Sequence, residues 1–214
     1  MGRATAPFSH IMNETKRLVY SKQFSPIPTV VRRQNVLSYE LCDKIVRIQR
    51  KKGLVPGVVW DGQQFVQDKE YRVVDTADIL EEDVPELYEI LNELVLELNE
   101  NAFKFNIYGI FDDAIFMEYR AANVNQGNGF FNWHVDAGDG YTSLRKFSIV
   151  IGLNNPEEYD GGVLVIQNGG MEHNVRLRKG DIAAFPAYIN HCVTPVTRGV
   201  RNSIVVFIVG PRFV

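Results

Sequence analysis

The segment Asn132-Trp133-His134-Val135-Asp136, together with His191 further along the chain, decides how this sequence is interpreted. Side chains of an extended strand alternate between its two faces, so His134 and Asp136 point the same way. A neighbouring strand that carries His191 would bring a second imidazole to the same point. Two histidines and one carboxylate on one side of a divalent metal leave its other coordination positions open. The segment therefore predicts a metal site, although a histidine and an aspartate at this spacing also occur by chance.

Length and composition indicate an ordinary folded protein. The chain has 214 residues, enough for one large domain or two small ones, and 45% of them are apolar and 23% charged. The net charge of -3 and the sequence pI of about 5.8 lack the basic excess of most nucleic-acid-binding proteins, so no nucleic-acid partner is expected. Three short basic clusters are interpreted as solvated surface: Lys16-Arg17, Arg32-Arg33 and Arg50-Lys51-Lys52.

Cysteine usage and the N-terminus favour a reducing, cytoplasmic location. Cys42 and Cys192 are far apart in sequence, and we expect both to be buried thiols rather than a disulfide pair. Residues 1–7 lack a cationic segment followed by an apolar run, so no signal peptide is predicted. No apolar run approaches the length that spans a bilayer, and no membrane partner is expected. The sequence does not indicate which oligomeric state the protein adopts.

Residues 1–34 have weak periodicity and are interpreted as an N-terminal arm of unknown role, with the main domain at residues 35–214. Two amphipathic helices are predicted at the start of that domain. Ser38 is the expected N-cap of the first helix, and Asp83 that of the second, with Pro85 near its first helical position. Their apolar stripes are Leu41, Ile45 and Ile48 in the first helix, and Leu87, Ile90, Leu91, Leu94 and Leu98 in the second. Both stripes are expected to pack on one face of a sheet.

The rest of the chain alternates with the period of β-strands. About eight short strands separated by turn residues argue for a mainly β fold, a sandwich or jelly roll with the two helices outside. The predicted strands are Asp113–Tyr119, Phe130–Asp136, Phe147–Leu153, Val163–Gln167, Val175–Arg178, Asp181–Pro186, His191–Val193 and Ser203–Val209. The space between two such sheets is a natural place for a ligand pocket.

Arg201 and Ser203 predict an anion site in that interior. Two residues apart in a strand, they share a face. An arginine that enters an apolar interior is costly unless an anion meets it, and its planar fork suits a carboxylate. The alternative is an internal salt bridge to Asp or Glu, which the spacing leaves open.

Five stretches in order carry a resemblance to the Fe(II)- and 2-oxoglutarate-dependent dioxygenases. More closely, the chain resembles the prolyl 4-hydroxylase-like branch, including PKHD-type hydroxylases, from about Asn35 to about Gly210. The stretches are Met117-Glu-Tyr-Arg, Asn132-Trp-His-Val-Asp-Ala, Leu153-Asn-Asn-Pro-Glu-Glu-Tyr-Asp-Gly-Gly-Val-Leu, Lys179-Gly-Asp-Ile-Ala-Ala-Phe-Pro and His191-Cys-Val-Thr-Pro-Val-Thr-Arg-Gly-Val-Arg-Asn-Ser. The resemblance implies a double-stranded β-helix, or jelly-roll, core.

The resemblance also assigns roles to six residues. It implies that His134, Asp136 and His191 bind Fe(II), and that Arg201 holds the distal carboxylate of 2-oxoglutarate. Tyr119 matches a tyrosine whose hydroxyl faces the co-substrate, and Ser203 is a weaker candidate beside Arg201. Fe(II) and 2-oxoglutarate are thus the expected cofactors, and ascorbate is compatible as a reductant.

The implied reaction is hydroxylation of a C–H bond in a prolyl or other residue of a protein or peptide, with decarboxylation of 2-oxoglutarate to succinate. One alternative is hydroxylation of a free amino acid or small molecule. Nucleic-acid demethylation ranks low, because Arg201 is followed by Asn202-Ser203 rather than by a second arginine. The remaining alternative is a cupin-like protein that binds metal without catalysis.

Several positions near the expected pocket carry further interpretations. Gly152 stands where several relatives have a larger side chain, which would widen the pocket. Asn154 and the Gly161-Gly162 pair are interpreted as structural, the glycines allowing a bulge or close backbone approach. Residues 54–72 and 121–130 are polar and contain glycine, and are the expected loops over the mouth. His10 and His173 are expected at the surface.

Overall fold

The computed structural model describes residues 26–60, 63–122 and 127–212. Most of the predicted arm, including His10, and small parts of both predicted mouth loops therefore lie outside the described residues. The α-helices are α1 (Tyr39–Lys52) and α2 (Pro85–Leu98). The strands are β1 (Val31–Arg33), β2 (Val55–Pro56), β3 (Val59–Trp60), β4 (Phe65–Val66), β5 (Arg72–Val73), β6 (Asp75–Ile79), β7 (Gly109–Ile110), β8 (Ala114–Arg120), β9 (Phe130–His134), β10 (Arg145–Gly152), β11 (Tyr159–Gly161), β12 (Leu164–Asn168), β13 (Met171–Val175), β14 (Ile182–Pro186), β15 (Asn190–Val193) and β16 (Val196–Val209).

Local sequence explains where each helix begins. The Ser38 hydroxyl accepts a hydrogen bond from the backbone N–H of Leu41 and caps α1, as predicted. Pro85 opens α2 as expected, but the predicted cap was wrong: Val84 is the N-cap, without a side-chain bond. The Asp83 carboxylate instead binds Lys52 Nζ, because the end of α1 lies beside it. Among the described residues, no helix is long and apolar enough to cross a lipid bilayer.

The strands form two antiparallel sheets, which confirms the predicted mainly β fold with flanking helices. The larger sheet has the order β1-β14-β10-β16-β8-β6-β2, with β7 and β11 also paired to β16. The smaller sheet has the order β13-β12-β15-β9-β5. A separate hairpin of β3 and β4 lies in the predicted mouth loop 54–72.

Strand alternation divides the core into two layers. Phe116 and Ile204 on the larger sheet pack with both helices in one buried cluster. Their neighbours Met117 and Val205 point the other way and belong to a second cluster between the sheets. Residues of this second layer line the interior of the jelly roll, and the predicted site residues lie there.

Two strands differ from the prediction by more than two residues. The hairpin turn at Gly169 and Gly170 has positive φ at both residues, so β13 pairs back immediately and spans Met171–Val175 rather than Val175–Arg178. Strand β16 begins at Val196, seven residues before the predicted start, because it pairs with β11 across a bulge. Both Arg201 and Ser203 therefore lie well inside a central strand.

The described part of the N-terminal arm joins the larger sheet. Val31–Arg33 forms β1 and pairs antiparallel with β14. The arm boundary at residue 34 and the role of the arm stay predictions. Cys42 and Cys192 are both buried free thiols, as expected.

Candidate metal centre

A β-bulge places His134 on the inner face of the smaller sheet. His134 lies opposite His191, and Phe131 lies opposite Val193, so three steps along β9 match two steps along β15. Phe131 and His134 consequently share the inner face, and their rings stack with centroids 3.6 Å apart. The bulge was not foreseen from the sequence, since it depends on pairing with β15.

Asp136 lies just beyond β9, which ends at His134, two residues before the predicted strand end. Its backbone N–H donates to the Ala187 carbonyl, which turns the chain away from β15. The Ser148 hydroxyl on β10 donates to Asp136 Oδ2 at 2.6 Å and holds the carboxylate in place. Asp136 oxygens lie 3.7 Å from His134 Nε2 and 3.5 Å from His191 Nε2.

The three predicted ligands converge and could hold a metal ion. One ligand atom from each of His134, Asp136 and His191 lies within 4.8 Å of the others. Each imidazole donates its Nδ1–H to a backbone carbonyl, at 2.7 Å to Asn132 and 3.0 Å to Ile189, which leaves the Nε2 of each ring, near Asp136, available to bind a metal. Burial, and then the neighbouring His191, lower the pKa of His134 to about 4, so this imidazole is neutral near pH 7.

Arg201, Ser203 and Tyr119 form a buried polar group on the facing sheet. Arg201 is 5% exposed, and its Nη1 donates to Ser203 Oγ at 2.9 Å. Its guanidinium carbon lies 5.1 Å from the centre of the Tyr119 ring. Burial raises the pKa of Tyr119, so the hydroxyl stays protonated near pH 7 and donates to Met117 Sδ, a weak acceptor.

The alternative interpretation of Arg201 was an internal salt bridge. Among the described residues, no carboxylate pairs with it. A buried guanidinium with one neutral hydroxyl as its polar partner is an environment that a bound carboxylate would stabilise. The residues therefore fit a small dicarboxylate such as 2-oxoglutarate, with one end at Arg201 and the other at the metal ligands.

Glycine makes room for Arg201. Gly161 and Gly162 have φ of +72° and +57°, and a Cβ on Gly161 would lie 1.9 Å from the Pro195 carbonyl oxygen. A Cβ on Gly162 would lie 2.9 Å from Arg201 Cδ. The pair thus serves the bulge between β11 and β16 and the close approach expected from the sequence.

The expectation that Gly152 widens the pocket is not met. A Cβ at this position would lie 2.7 Å from the Arg178 carbonyl oxygen and 2.9 Å from Leu177 Cβ. Leu177 and Arg178 already occupy the space that a side chain at position 152 would need. Gly152 is therefore a packing requirement rather than an opening.

Sequence reasoning missed four residues around the centre: Ser148, Phe131, Arg72 and Arg145. Ser148 carried a signal, because it is the one hydroxyl in the apolar run Phe147–Ile151. Arg145 Nη1 donates to the Asp136 carbonyl, and its guanidinium carbon lies 3.5 Å from the centre of the Phe207 ring. Arg72 lies over the Phe131 ring, with its guanidinium carbon 4.5 Å from the ring centre.

The fold and the three converging ligands define a jelly-roll protein with a two-histidine, one-carboxylate centre. The family model described as the 2OG-Fe(II) oxygenase superfamily matches residues 117–209, a range that contains all six predicted site residues. The match of residues 117–209 to this superfamily confirms the resemblance seen in the sequence.

Individual proteins show the same likeness. The PKHD-type hydroxylase YbiX of Escherichia coli (strain 55989 / EAEC) is 33% identical over 156 residues, which cover 69% of this chain and 63% of the relative. The matched region thus spans less than two thirds of that relative. A Pseudomonas putida prolyl-4-hydroxylase structure has a TM-score of 0.65 at 21% identity, covering 86% of this chain and 93% of that one. A Trichoplax adhaerens prolyl hydroxylase, solved with a hypoxia inducible factor peptide fragment, has a TM-score of 0.69 at 14% identity, covering 85% and 83%. At these identities the two structures support the fold alone.

Proposed function

We propose that this chain is an Fe(II)- and 2-oxoglutarate-dependent dioxygenase that hydroxylates a C–H bond in a prolyl or other residue of a protein or peptide. In the same reaction 2-oxoglutarate is decarboxylated to succinate. The observation that carries the proposal is the pairing of His134, Asp136 and His191 with a buried Arg201 that has no carboxylate partner among the described residues.

Each residue has a definite task in this proposal. His134, Asp136 and His191 bind the metal, and Ser148 holds the carboxylate of Asp136 in position. Arg201 takes the distal carboxylate of 2-oxoglutarate, with Ser203 orienting the guanidinium. Tyr119 supplies a protonated hydroxyl beside it. Bound Fe(II) and 2-oxoglutarate supply the oxygen activation, while the apolar layer between the sheets keeps water from the centre.

A protein or peptide substrate is the finer part of the proposal. It is supported by the hydroxylase relatives and by the prolyl hydroxylase structures, one of which was solved with a peptide. The proposed domain is residues 35–214, with residues 1–34 as an appended arm. A reducing, cytoplasmic compartment is part of the same proposal, supported by the buried thiols Cys42 and Cys192.

The test measures products directly. Protein loaded with Fe(II) should convert 2-oxoglutarate to succinate, and mass spectrometry should find proline-containing peptides that gain one oxygen. His134→Ala and Asp136→Ala should abolish succinate formation while circular dichroism shows an unchanged fold. Arg198→Gln, which removes a surface charge paired with Asp160, is the matched control and should keep turnover.

Two results would contradict the proposal. Full succinate formation by His134→Ala would refute the assignment of the ligands. Tight binding of Fe(II) and 2-oxoglutarate without oxygen consumption, for every peptide and amino acid tried, would favour the cupin-like alternative.

A further inference from the structure

Arg72 is a further arginine beside the metal centre, and neither the fold nor the proposed reaction accounts for it. It lies on β5 directly opposite Phe131 of β9, so the two side chains share the inner face of the smaller sheet. The Arg72 guanidinium lies over the Phe131 ring, which in turn stacks on the His134 imidazole. Arg72 is therefore one aromatic ring away from a proposed metal ligand.

The Arg72 guanidinium is only partly satisfied. Its Nη1 donates to the Val58 carbonyl at 3.0 Å, whereas its Nε is buried without a hydrogen-bond partner. No carboxylate of the described residues forms an ion pair with it. Burial lowers the pKa of Arg72, and the nearby Tyr119 and Asp136 offset part of that shift.

Other arginines of this chain show what the open side of the Arg72 fork accepts. Arg198 binds Asp160 through Nε at 2.7 Å and Nη2 at 3.2 Å, one bond to each carboxylate oxygen. Arg50 also uses Nε and Nη2 to bind a carboxylate, and both of its contacts go to Glu118 Oε2. In Arg72 this same side carries the buried, unpartnered Nε. Its geometry suits a planar carboxylate better than a single carbonyl oxygen.

Charge balance indicates where that carboxylate comes from, on the assumption that the proposed function is correct. One carboxylate of 2-oxoglutarate neutralises Arg201. The other carboxylate, together with Asp136, neutralises the divalent metal. Arg145 already lies beside Asp112, at 3.9 Å. Arg72 then remains a cation without a counter-charge in a low-dielectric site, which is unfavourable unless a further anion arrives.

We propose that Arg72 selects the substrate: it binds a carboxylate that the substrate carries next to the C–H bond to be hydroxylated. The carboxylate is either the side chain of an acidic residue that neighbours the target in a peptide, or the α-carboxylate of a free amino acid. Gly57 allows this position, since a Cβ there would lie 3.0 Å from Arg72 Nε. The Val58 carbonyl fixes Nη1 and leaves the buried Nε without a partner.

The test compares probes that differ only in charge. Protein loaded with Zn(II) in place of Fe(II) and saturated with 2-oxoglutarate should not hydroxylate the probes. The probes therefore stay intact, and their binding is measured by saturation-transfer NMR. The free-amino-acid probes are L-proline and L-prolinamide. The peptide probes are acetyl-Ala-X-Pro-Z-Ala-amide, with Asp or its isostere Asn at X or Z. We expect at least one carboxylate probe to bind about tenfold more tightly than its amide, the factor that one charged hydrogen bond supplies.

Variants assign the preference to Arg72. Arg72→Gln should bring the carboxylate-to-amide ratio close to one, and Arg72→Lys should retain part of it. Arg198→Gln removes the same charge at the surface and should keep the wild-type ratio. If Arg72→Gln does not fold, the carboxylate-to-amide affinity ratio of the wild-type protein still tests the proposal.

Three results would overturn the inference. In the first, the wild-type protein shows no preference for carboxylate probes over amide probes, or binds neither. In the second, Arg72→Gln keeps the wild-type preference. In the third, Arg72→Gln loses affinity for 2-oxoglutarate instead of the carboxylate preference. Succinate formation tests the proposed function separately. A protein that makes succinate but shows no carboxylate preference refutes only this inference, and one with the preference that never makes succinate refutes only the proposed function.

Discussion

The Ser148 hydroxyl donates to Asp136 Oδ2 at 2.6 Å, which ties the larger sheet to the one proposed ligand that lies outside a strand. Ser148→Ala removes this bond and leaves the Asp136 carboxylate free to rotate. We expect metal affinity to fall about tenfold or more, as for other residues that orient metal ligands. Competition with a chromophoric chelator measures the affinity. Unchanged Zn(II) binding by Ser148→Ala would show that the strand end alone positions Asp136.

Arg201 is expected to control co-substrate affinity without affecting the metal. Arg201→Gln should raise the KM for 2-oxoglutarate by about tenfold or more, because a bidentate charged pair contributes on the order of 1.5–3 kcal/mol. Arg201→Lys should recover only part of the loss, since an ammonium lacks the planar fork. Zn(II) affinity should stay unchanged in both variants. A parallel loss of metal binding would mean that Arg201 supports the fold rather than the co-substrate.

Gly162 and Gly169 offer a matched pair, because both have φ of +57° but only Gly162 has close neighbours. Each Gly→Ala change should cost about 1 kcal/mol of unfolding free energy from the left-handed backbone. Gly162→Ala should in addition displace Arg201 and raise the KM for 2-oxoglutarate. Denaturant titration and steady-state kinetics separate the two effects. Equal kinetics for both variants would remove Gly162 from the account of the site.

Metal binding should raise thermal stability through His191. A free Zn(II) concentration about a hundred times Kd stabilises the folded state by about 2.7 kcal/mol, which scanning calorimetry detects as a higher Tm. His191→Ala should abolish this increase. Its metal-free Tm should also be lower than that of the wild-type protein, because the buried His191 ring packs on Phe185 and on His134. The quantity that tests metal binding is therefore the shift in Tm that Zn(II) causes in each variant. A metal-dependent shift that survives in His191→Ala would point to another binding site.

Gly152→Val tests the corrected interpretation of this position. Because the Cβ would approach the Arg178 backbone oxygen, we expect a loss of about 1–3 kcal/mol of stability, typical of overpacked cores. The KM for 2-oxoglutarate in the fraction that folds should match that of wild type. A stable variant with altered co-substrate preference would restore the original expectation of a widened pocket.

The sequence was informative where function depends on residue identity and local spacing. The pair His134 and Asp136, the position of Arg201 in a strand and the Ser38 cap needed only short-range patterns. Features set by distant neighbours were missed: the bulge depends on β15, and Asp83 turns to Lys52 because α1 ends beside it. The sequence predicted a short strand at Tyr71-Arg72-Val73-Val74, next to a polar loop, but nothing local marks Arg72 as facing the metal centre.

The direct pairing of His134 with His191 has a consequence for the lifetime of the protein. A metal ion bound by both histidines would cross-link β9 and β15 within the smaller sheet. Its loss would let β9 and β15 separate more often, exposing their backbones to proteases. Removal of the metal should therefore make the purified protein more susceptible to limited proteolysis within β9 and β15.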